Sequence, residues 1–146
     1  MEKGMTLLEQ LQESFSCQKV DLKTYSPLTL AFIGDAVYDL VIRAVLVSRG
    51  NRTTQELHNK KSAVVKASTQ ASMLRIIEDE LDEDEKTVAR RGRNAKSYSC
   101  AKHASVQEYR MATGFEALMG YLFLSDNEER MIELTKLALD RLELSI

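Results

Sequence analysis

The stretch SPLTLAFIGDAVYDLVIRAVLVSRG, at residues 26–50, does most to decide the fold of this chain. It begins with serine and proline, a pair that often starts a helix because serine caps free amide groups and proline fits the first turn. Apolar residues then recur at intervals of three and four, as on one face of a helix, until Gly50. Glycine commonly follows the end of a helix, so we predict a helix over residues 27–49.

The same signals recur along the rest of the chain. A Thr, Asp or Ser stands three residues before a Glu at 53–56, 82–85 and 105–108, which is the arrangement of a capping box. No segment alternates with a period of two for long enough to predict a strand, and one proline and six glycines are few for an all-β fold. We therefore predict an all-α fold, an irregular bundle of about six or seven helices. The predicted helices lie at about 6–15, 27–49, 54–67, 68–80, 83–91, 106–125 and 127–144.

Length and composition predict one soluble domain. A chain of 146 residues, 44% of them hydrophobic and 29% charged, can form both a core and a solvated surface. No apolar run reaches the roughly 18 residues of a membrane span, and the first residues lack the apolar region of a signal peptide. Cys17 and Cys100 do not have the spacing of a zinc site or disulfide framework. We expect a cytoplasmic protein with a single domain over 1–146, in which 1–24 form a weakly specified lead-in.

Charge is distributed unevenly, although the net charge is only −2. Seven acidic residues lie within 78–85, and the rest of the chain holds 20 basic and 15 acidic residues. Residues 86–107 contain six Lys or Arg and no acid. Such a local field matters more to a charged partner than the net charge does. We interpret residues 91–94, RGRN, as the end of a helix, so that the basic residues lie in a flexible loop. This loop either binds phosphate or is a solvated run of basic residues that balances the charge of the acidic residues before it.

Two acidic residues, Asp35 and Glu116, stand alone within apolar helical runs that also contain glycine. Glycine costs about 1 kcal/mol in a helix interior, so its presence needs a packing or functional reason. A carboxylate in an apolar setting is costly unless it is paired or bound to a cation. The two acids would therefore suit one shared Mg²⁺ site. The alternative is that they pair with arginines such as Arg43 or Arg110, and that the glycines are close-packing points between helices.

Three ordered motifs resemble those of the ribonuclease III family. Residues 30–37, LAFIGDAV, resemble its signature, approximately L-E-F-L-G-D-[AS]-V, and residues 115–120, FEALMG, resemble its second motif. Residues 91–96, RGRNAK, resemble an element of the Mini-ribonuclease III branch, which lacks the double-stranded-RNA-binding domain. The resemblance runs from about residue 26 to 142, and three motifs in order are far more specific than any one of them.

The resemblance implies a ribonuclease III-like helical endonuclease domain that forms a homodimer through the helix at about 28–45. It implies that water activated by Mg²⁺, for which Mn²⁺ can substitute, hydrolyses both strands of double-stranded RNA, with one active site per subunit. The Mini-ribonuclease III branch further suggests maturation of large-subunit (23S) ribosomal RNA. A ribosomal protein that assists substrate recognition is a further expected partner.

The resemblance also assigns site residues. Asp35 and Glu116 match family metal ligands, so both are expected to be catalytic and to bind the metal. The expected RNA contacts are Arg90, Arg91, Arg93, Asn94, Lys96, Lys102, Lys60 and Lys61. Leu28, Ala31 and Thr113 stand where the family often has acids, which leaves the number of metal ions open. Two rival interpretations remain: a catalytically inactive ribonuclease III fold that binds RNA or the ribosome, and a helical interaction module with no RNA role.

Overall fold

A computed structural model describes residues 4–95 and 105–146 of the chain. The described residues form seven α-helices and two short 3-10 turns, with no strand among them, so the predicted all-α fold is confirmed. The helices are α1 Leu7–Ser14, α2 Pro27–Ser48, α3 Thr54–Val65, α4 Ala67–Ile77, α5 Glu83–Asn94, α6 Val106–Leu124 and α7 Glu128–Arg141. Across these described ranges, no helix is both long and apolar enough to cross a membrane.

The helices begin where the caps predict. The Ser26 hydroxyl accepts hydrogen bonds from the amides of the first turn of α2, and Pro27 opens that helix. Asp82 and Glu85 form a complete capping box at the start of α5, with both reciprocal hydrogen bonds in place. Gly50 follows the end of α2 with a φ of 149°, a conformation that favours glycine. Local side-chain chemistry therefore sets these helix boundaries.

The predicted end of α5 is wrong, because the helix continues to Asn94 instead of stopping near Arg91. Gly92 lies inside the helix and is buried against α6. A Cβ atom on Gly92 would lie 2.8 Å from the Cα of Gly114 and 3.0 Å from the Cβ of Ala117. This glycine therefore allows close helix packing instead of ending the helix. The predicted end of α7 is also wrong, because this helix stops at Arg141 and not near residue 144.

Helix α6 lies at the centre of the bundle, packed against α2, α4 and α5. Where α2 crosses α6, a Cβ atom on Gly34 would collide with the backbone of Glu116, and one on Gly120 would collide with the backbone of Leu30. The two backbones touch at this crossing because neither glycine carries a side chain. At these two glycines the alternative interpretation, close packing between helices, is confirmed.

Buried aromatic side chains fix the position of α2 relative to α6. The rings of Tyr38 on α2 and Phe115 on α6 meet edge to face, with centroids 5.0 Å apart. The Tyr38 hydroxyl donates a 2.7 Å hydrogen bond to the carbonyl oxygen of Val64, which ties α3 to the same point. Both rings are almost fully buried, so their neighbours Asp35 and Glu116 are held at a rigid part of the fold.

Candidate active site

Asp35 and Glu116, which are 81 positions apart in the sequence, come together at the glycine-packed crossing of α2 and α6. Asp35 is exposed at the surface, whereas Glu116 is partly buried behind it. Burial raises the pKa of Glu116 to about 9, and a hydrogen bond with Asp35 and the charge of Asp35 act in the same direction. At neutral pH and without a cation, Glu116 therefore keeps its proton and is hydrogen-bonded to Asp35.

No basic side chain neutralises this pair within the described parts of the chain. The expected alternative, a salt bridge to Arg43, is not present, because the Arg43 guanidinium pairs with Asp39 on the next turn of α2. None of the ion pairs among described residues includes Asp35 or Glu116. The pair thus combines two carboxyl groups and a solvent-open side, and the described residues supply it with no compensating positive charge.

This donor set fits a divalent cation. Mg²⁺ prefers oxygen ligands, keeps several of its waters and often uses only one or two protein carboxylates together with substrate phosphates. No group of three or more metal-ligating side chains occurs among residues 4–95 and 105–146. Among the described residues, Asp35 and Glu116 would therefore be the protein ligands of the ion and would leave its other coordination positions to water and substrate.

The positions at which the family often has acids supply no ligand here. Leu28 is exposed on the first turn of α2, and Ala31 is buried one turn before Asp35. The Thr113 hydroxyl donates a 3.0 Å hydrogen bond to the carbonyl oxygen of Tyr109 within α6. None of these three side chains carries a charge, so the site contains fewer acids than the family signature.

The expected RNA contacts on α5 lie on a helix, not on the predicted flexible loop. Arg90, Arg91 and Asn94 are exposed on the last turns of α5, and Arg93 is half-buried. The helix persists through them because Gly92 faces α6. Lys96 and Lys102 lie outside the described residues. Four of the expected contacts therefore lie within the last turns of one helix.

The partners of these basic residues differ. Arg91 donates from Nη2 to the carbonyl oxygen of Tyr25 at 3.3 Å, and Arg93 lies 3.4 Å from a carboxylate oxygen of Glu78. On α3, Lys60 is exposed, whereas the ammonium of Lys61 lies 3.4 Å from a carboxylate oxygen of Asp39. Helix α5 packs on α6 and α3 packs on α2, so each helix that carries an acid of the pair has a helix with basic residues beside it.

The acidic run at 78–85 has partners that sequence reasoning missed. The guanidinium of Arg130 on α7 binds both carboxylate oxygens of the buried Glu85 at 2.9 Å and the carbonyl oxygen of Glu80 at 2.7 Å. Arg141, also on α7, lies 2.8 Å from carboxylate oxygens of Asp79 and Glu80. Helix α7 thus neutralises much of this run, and Arg93 on α5 contacts it at Glu78. The capping signal at 82–85 was readable, but its partner 45 positions away was not.

Comparison with known proteins identifies the family and the fold. Residues 28–127 match the family model of the ribonuclease III domain. The Mini-ribonuclease 3 of Clostridium tetani is 47% identical over 134 residues, which cover 91% of this chain and 87% of that protein. The Mini-ribonuclease 3 of Thermoanaerobacter is 44% identical over 143 residues, covering 98% and 99%. A crystal structure of a protein from Fusobacterium nucleatum has a TM-score of 0.75 and 31% identity, covering 84% of this chain and 98% of that one.

The helical fold, the paired acids and the domain match together define a protein of the ribonuclease III class. Curated relatives from one branch of that class align with nearly the whole chain, at identities well above those of a distant likeness. The chain belongs to the Mini-ribonuclease 3 family.

Proposed function

We propose that this chain is an endoribonuclease that hydrolyses double-stranded RNA as a Mg²⁺-dependent homodimer, with one active site per subunit. Family membership makes it a nuclease of the ribonuclease III type, a hydrolase that acts on RNA. The observation that carries the proposal is the pair Asp35 and Glu116, held together without a basic partner in the described structure and open to solvent on one side.

The two acids have different tasks in this site. Asp35 offers a carboxylate at the surface, whereas Glu116 must give up its proton to become a ligand, so cation binding is expected to release protons. A bound Mg²⁺, or Mn²⁺ in its place, supplies a nucleophilic water at neutral pH and stabilises charge on the leaving oxygen. The rigid crossing of α2 and α6 keeps both carboxyl groups in place, which preserves the geometry that the reaction needs.

The basic residues on α5 and α3, the helices that pack on α6 and α2, would hold the duplex. A-form RNA is bound mainly through its shape, its phosphates and its 2′-hydroxyl groups, which suits arginine and asparagine side chains spaced along one helix. We propose Arg90, Arg91, Arg93 and Asn94 on α5 as this contact. Lys96, Lys102, Lys60 and Lys61 are proposed to extend it.

An apolar surface on α2 supports the homodimer. Leu28, Phe32, Leu40 and Val47 are 40–81% exposed and follow one another along this helix at intervals of four to eight residues; we call them the α2 stripe. A symmetric dimer buries the same patch of both subunits against each other. Exchanging Phe32 and Leu40 for glutamate should reduce the sedimenting mass from about twice 16.5 kDa to a single chain. A wild-type protein that is monomeric at micromolar concentration would contradict the homodimer.

The resemblance to Mini-ribonuclease III supports a precursor of large-subunit (23S) ribosomal RNA as the substrate. A ribosomal protein that assists recognition, and action in the cytoplasm, belong to the same proposal. Incubating the enzyme with naked precursor RNA and with precursor bound to ribosomal proteins would test both partners. Faster cleavage at one position in the protein-bound RNA is the expected result.

The alternative of a catalytically inactive RNA-binding protein is favoured by the small number of acids at the described site. One assay separates the two functions: long duplex RNA and a single-stranded control are incubated with Mg²⁺, with Mn²⁺ and with a chelator. We expect cleavage of the duplex alone, and only with a metal. Duplex binding without cleavage in any metal would favour the inactive protein. Neither binding nor cleavage would favour a helical interaction module.

A further inference from the structure

The first helix presents an apolar face that the described chain barely covers. Leu7, Leu8, Leu11 and Phe15 lie along one side of α1 and its C-terminal end, but of these four only Leu8 is buried. Leu7, Leu11, Phe15 and the nearby Val20 are 44–75% exposed; we call these four residues the α1 patch. Large apolar side chains that cluster on one helix face usually mark an interaction surface.

Such a helix needs a partner to be stable. It is eight residues long, and isolated helices shorter than about 12 residues are marginal in water. Beside it lies a groove of about 670 Å³, formed by α1, by residues 17–22, by Tyr25 and by the end of α6 at Leu124. The groove is lined largely by apolar side chains and is open on one side, so a second apolar surface can enter it.

We propose that the α1 patch and this groove pack against a second copy of the chain and extend the subunit contact made by the α2 stripe; this inference rests on the proposed homodimer. The two surfaces are adjacent. The groove reaches Tyr25, which stands directly before the cap Ser26, and the α2 stripe begins at Leu28 on the first turn after that cap. A subunit that covers the start of α2 thus lies next to the groove.

The apolar area that a permanent dimer buries also favours a second copy of the chain as the partner of the α1 patch. At their observed exposures, the four side chains of the α2 stripe would offer less than about 600 Å² of apolar surface even if each were as large as an aromatic side chain of about 250 Å². Permanent homodimers bury about 1,000 Å² or more per subunit, about 65% of it apolar, which makes roughly 650 Å². The α2 stripe alone falls short of this area, whereas the α1 patch adds four more apolar side chains of similar size and exposure, again with one phenylalanine among them.

Removing the apolar face of α1 should weaken the dimer. We would measure the dimer dissociation constant by sedimentation for Leu11→Gln with Phe15→Gln, and expect it to rise about tenfold or more. The matched control is Val106→Gln with Ile132→Gln, two exposed apolar residues on α6 and α7, which should leave the constant unchanged. An unchanged constant in the α1 variant would overturn the inference and leave the α2 contact standing. A wild-type monomer would instead contradict the homodimer itself.

Hydrogen exchange tests the same contact without changing α1. In the full-length dimer the amides of α1 should be protected, and in the monomer made by Phe32→Glu with Leu40→Glu they should exchange rapidly. Equal exchange in the two proteins would overturn the inference. Protection of α1 that appears only when duplex RNA, a ribosomal protein or lipid vesicles are added would also overturn it, because the patch would then belong to that partner.

Discussion

Glu85 and Glu116 are both at least partly buried, but their charged neighbours have opposite signs. Glu85 lies beside the arginine Arg130, whereas Glu116 lies beside the acid Asp35. At Glu85, burial would raise the pKa, but hydrogen bonds from Arg130 and the Asp82 amide outweigh it and lower the pKa. At Glu116, burial and the neighbouring Asp35 both act in one direction and raise the pKa to about 9. An acid neutralised within the chain stabilises the fold, whereas a pair of acids without such a partner can bind a cation. The contrast separates a structural acid from a candidate catalytic one.

The largest effect is expected at Asp35 and Glu116, the two acids for which the described residues supply no basic partner. Asp35→Asn should reduce the cleavage rate of duplex RNA by about a thousandfold or more, because it keeps the side-chain volume but removes the charge that would hold the metal. Glu116→Gln should act alike, and the double variant should be little worse than either, because both residues serve one site. Single-turnover cleavage measures the rate, and circular dichroism and sedimentation check that fold and dimer persist.

An unfolded Asp35→Asn protein would reverse this assignment. If the variant lost stability while cleavage per folded molecule survived, Asp35 would be a structural residue like Glu85. Asp39→Asn is the matched control, since it lies one turn further along α2 and pairs with Arg43 and Lys61. It should retain most of the activity.

The next largest effect is expected at Glu85, the acid that pairs with Arg130, and it should change the stability of the fold and not the cleavage rate. Glu85→Gln should reduce the free energy of unfolding by about 3 kcal/mol, because it leaves the partly buried Arg130 without its charge partner. Glu83→Gln, on the same turn but exposed and 3.7 Å from Lys86, should change it by less than about 0.5 kcal/mol. Urea unfolding monitors both, and cleavage per folded molecule should stay near that of the wild type. Equal effects of the two substitutions would mean that burial of Glu85 does not matter.

The pH dependence of stability should separate the two glutamates by sign. Without metal, the folded state holds the Glu116 proton more tightly than the unfolded state does, so its stabilising effect is complete below the ordinary pKa of 4.5 and is lost as the pH rises through about 9. Glu85 does the opposite: its lowered pKa stabilises the fold above the ordinary value, and this is lost as the pH falls through the lowered one.

Urea unfolding in a chelator between about pH 5 and 9 tests this difference. The wild type should lose stability across this range, and Glu116→Gln should remove that loss. A wild type and Glu116→Gln with parallel pH profiles would show that Glu116 does not hold its proton in the folded state.

The smallest effect is expected for arginines, and it should differ between the α5 arginines proposed to contact RNA and Arg141 on α7, which is held by two acids. Arg91→Ala with Arg93→Ala should reduce the slope of log binding constant against log salt by about 0.7–0.9 for each phosphate that the variant no longer binds. Arg141→Ala, whose guanidinium is held by Asp79 and Glu80 in the wild type, should leave the slope unchanged. Duplex binding measured from low to moderate salt distinguishes them. Equal slopes for the wild type and both variants would assign RNA binding to another surface.

Local chemistry explains why much of this fold could be predicted from sequence. A helix cap acts over two to four residues, so Ser26 and the box at 82–85 predict the starts of α2 and α5 correctly. Asp35 and Glu116 could also be named as candidates from sequence, because a lone acid in an apolar helical run is visible without any partner; their role as metal ligands stays a prediction. The motifs around them also predicted the family correctly.

Interactions between distant segments could not be read in the same way. Gly92 looks like a helix end in sequence, but it is an interior residue because α6 approaches it closely, and only the packed bundle contains that approach. The Arg130–Glu85 pair and the meeting of Asp35 with Glu116 likewise join helices that are far apart along the chain. Sequence alone could identify Asp35 and Glu116 as candidates, because each stands out from the apolar residues next to it in the chain. Which acid meets a positive charge and which meets another acid depends on how the helices cross, because electrostatic energy depends on distance in space and not on separation along the chain.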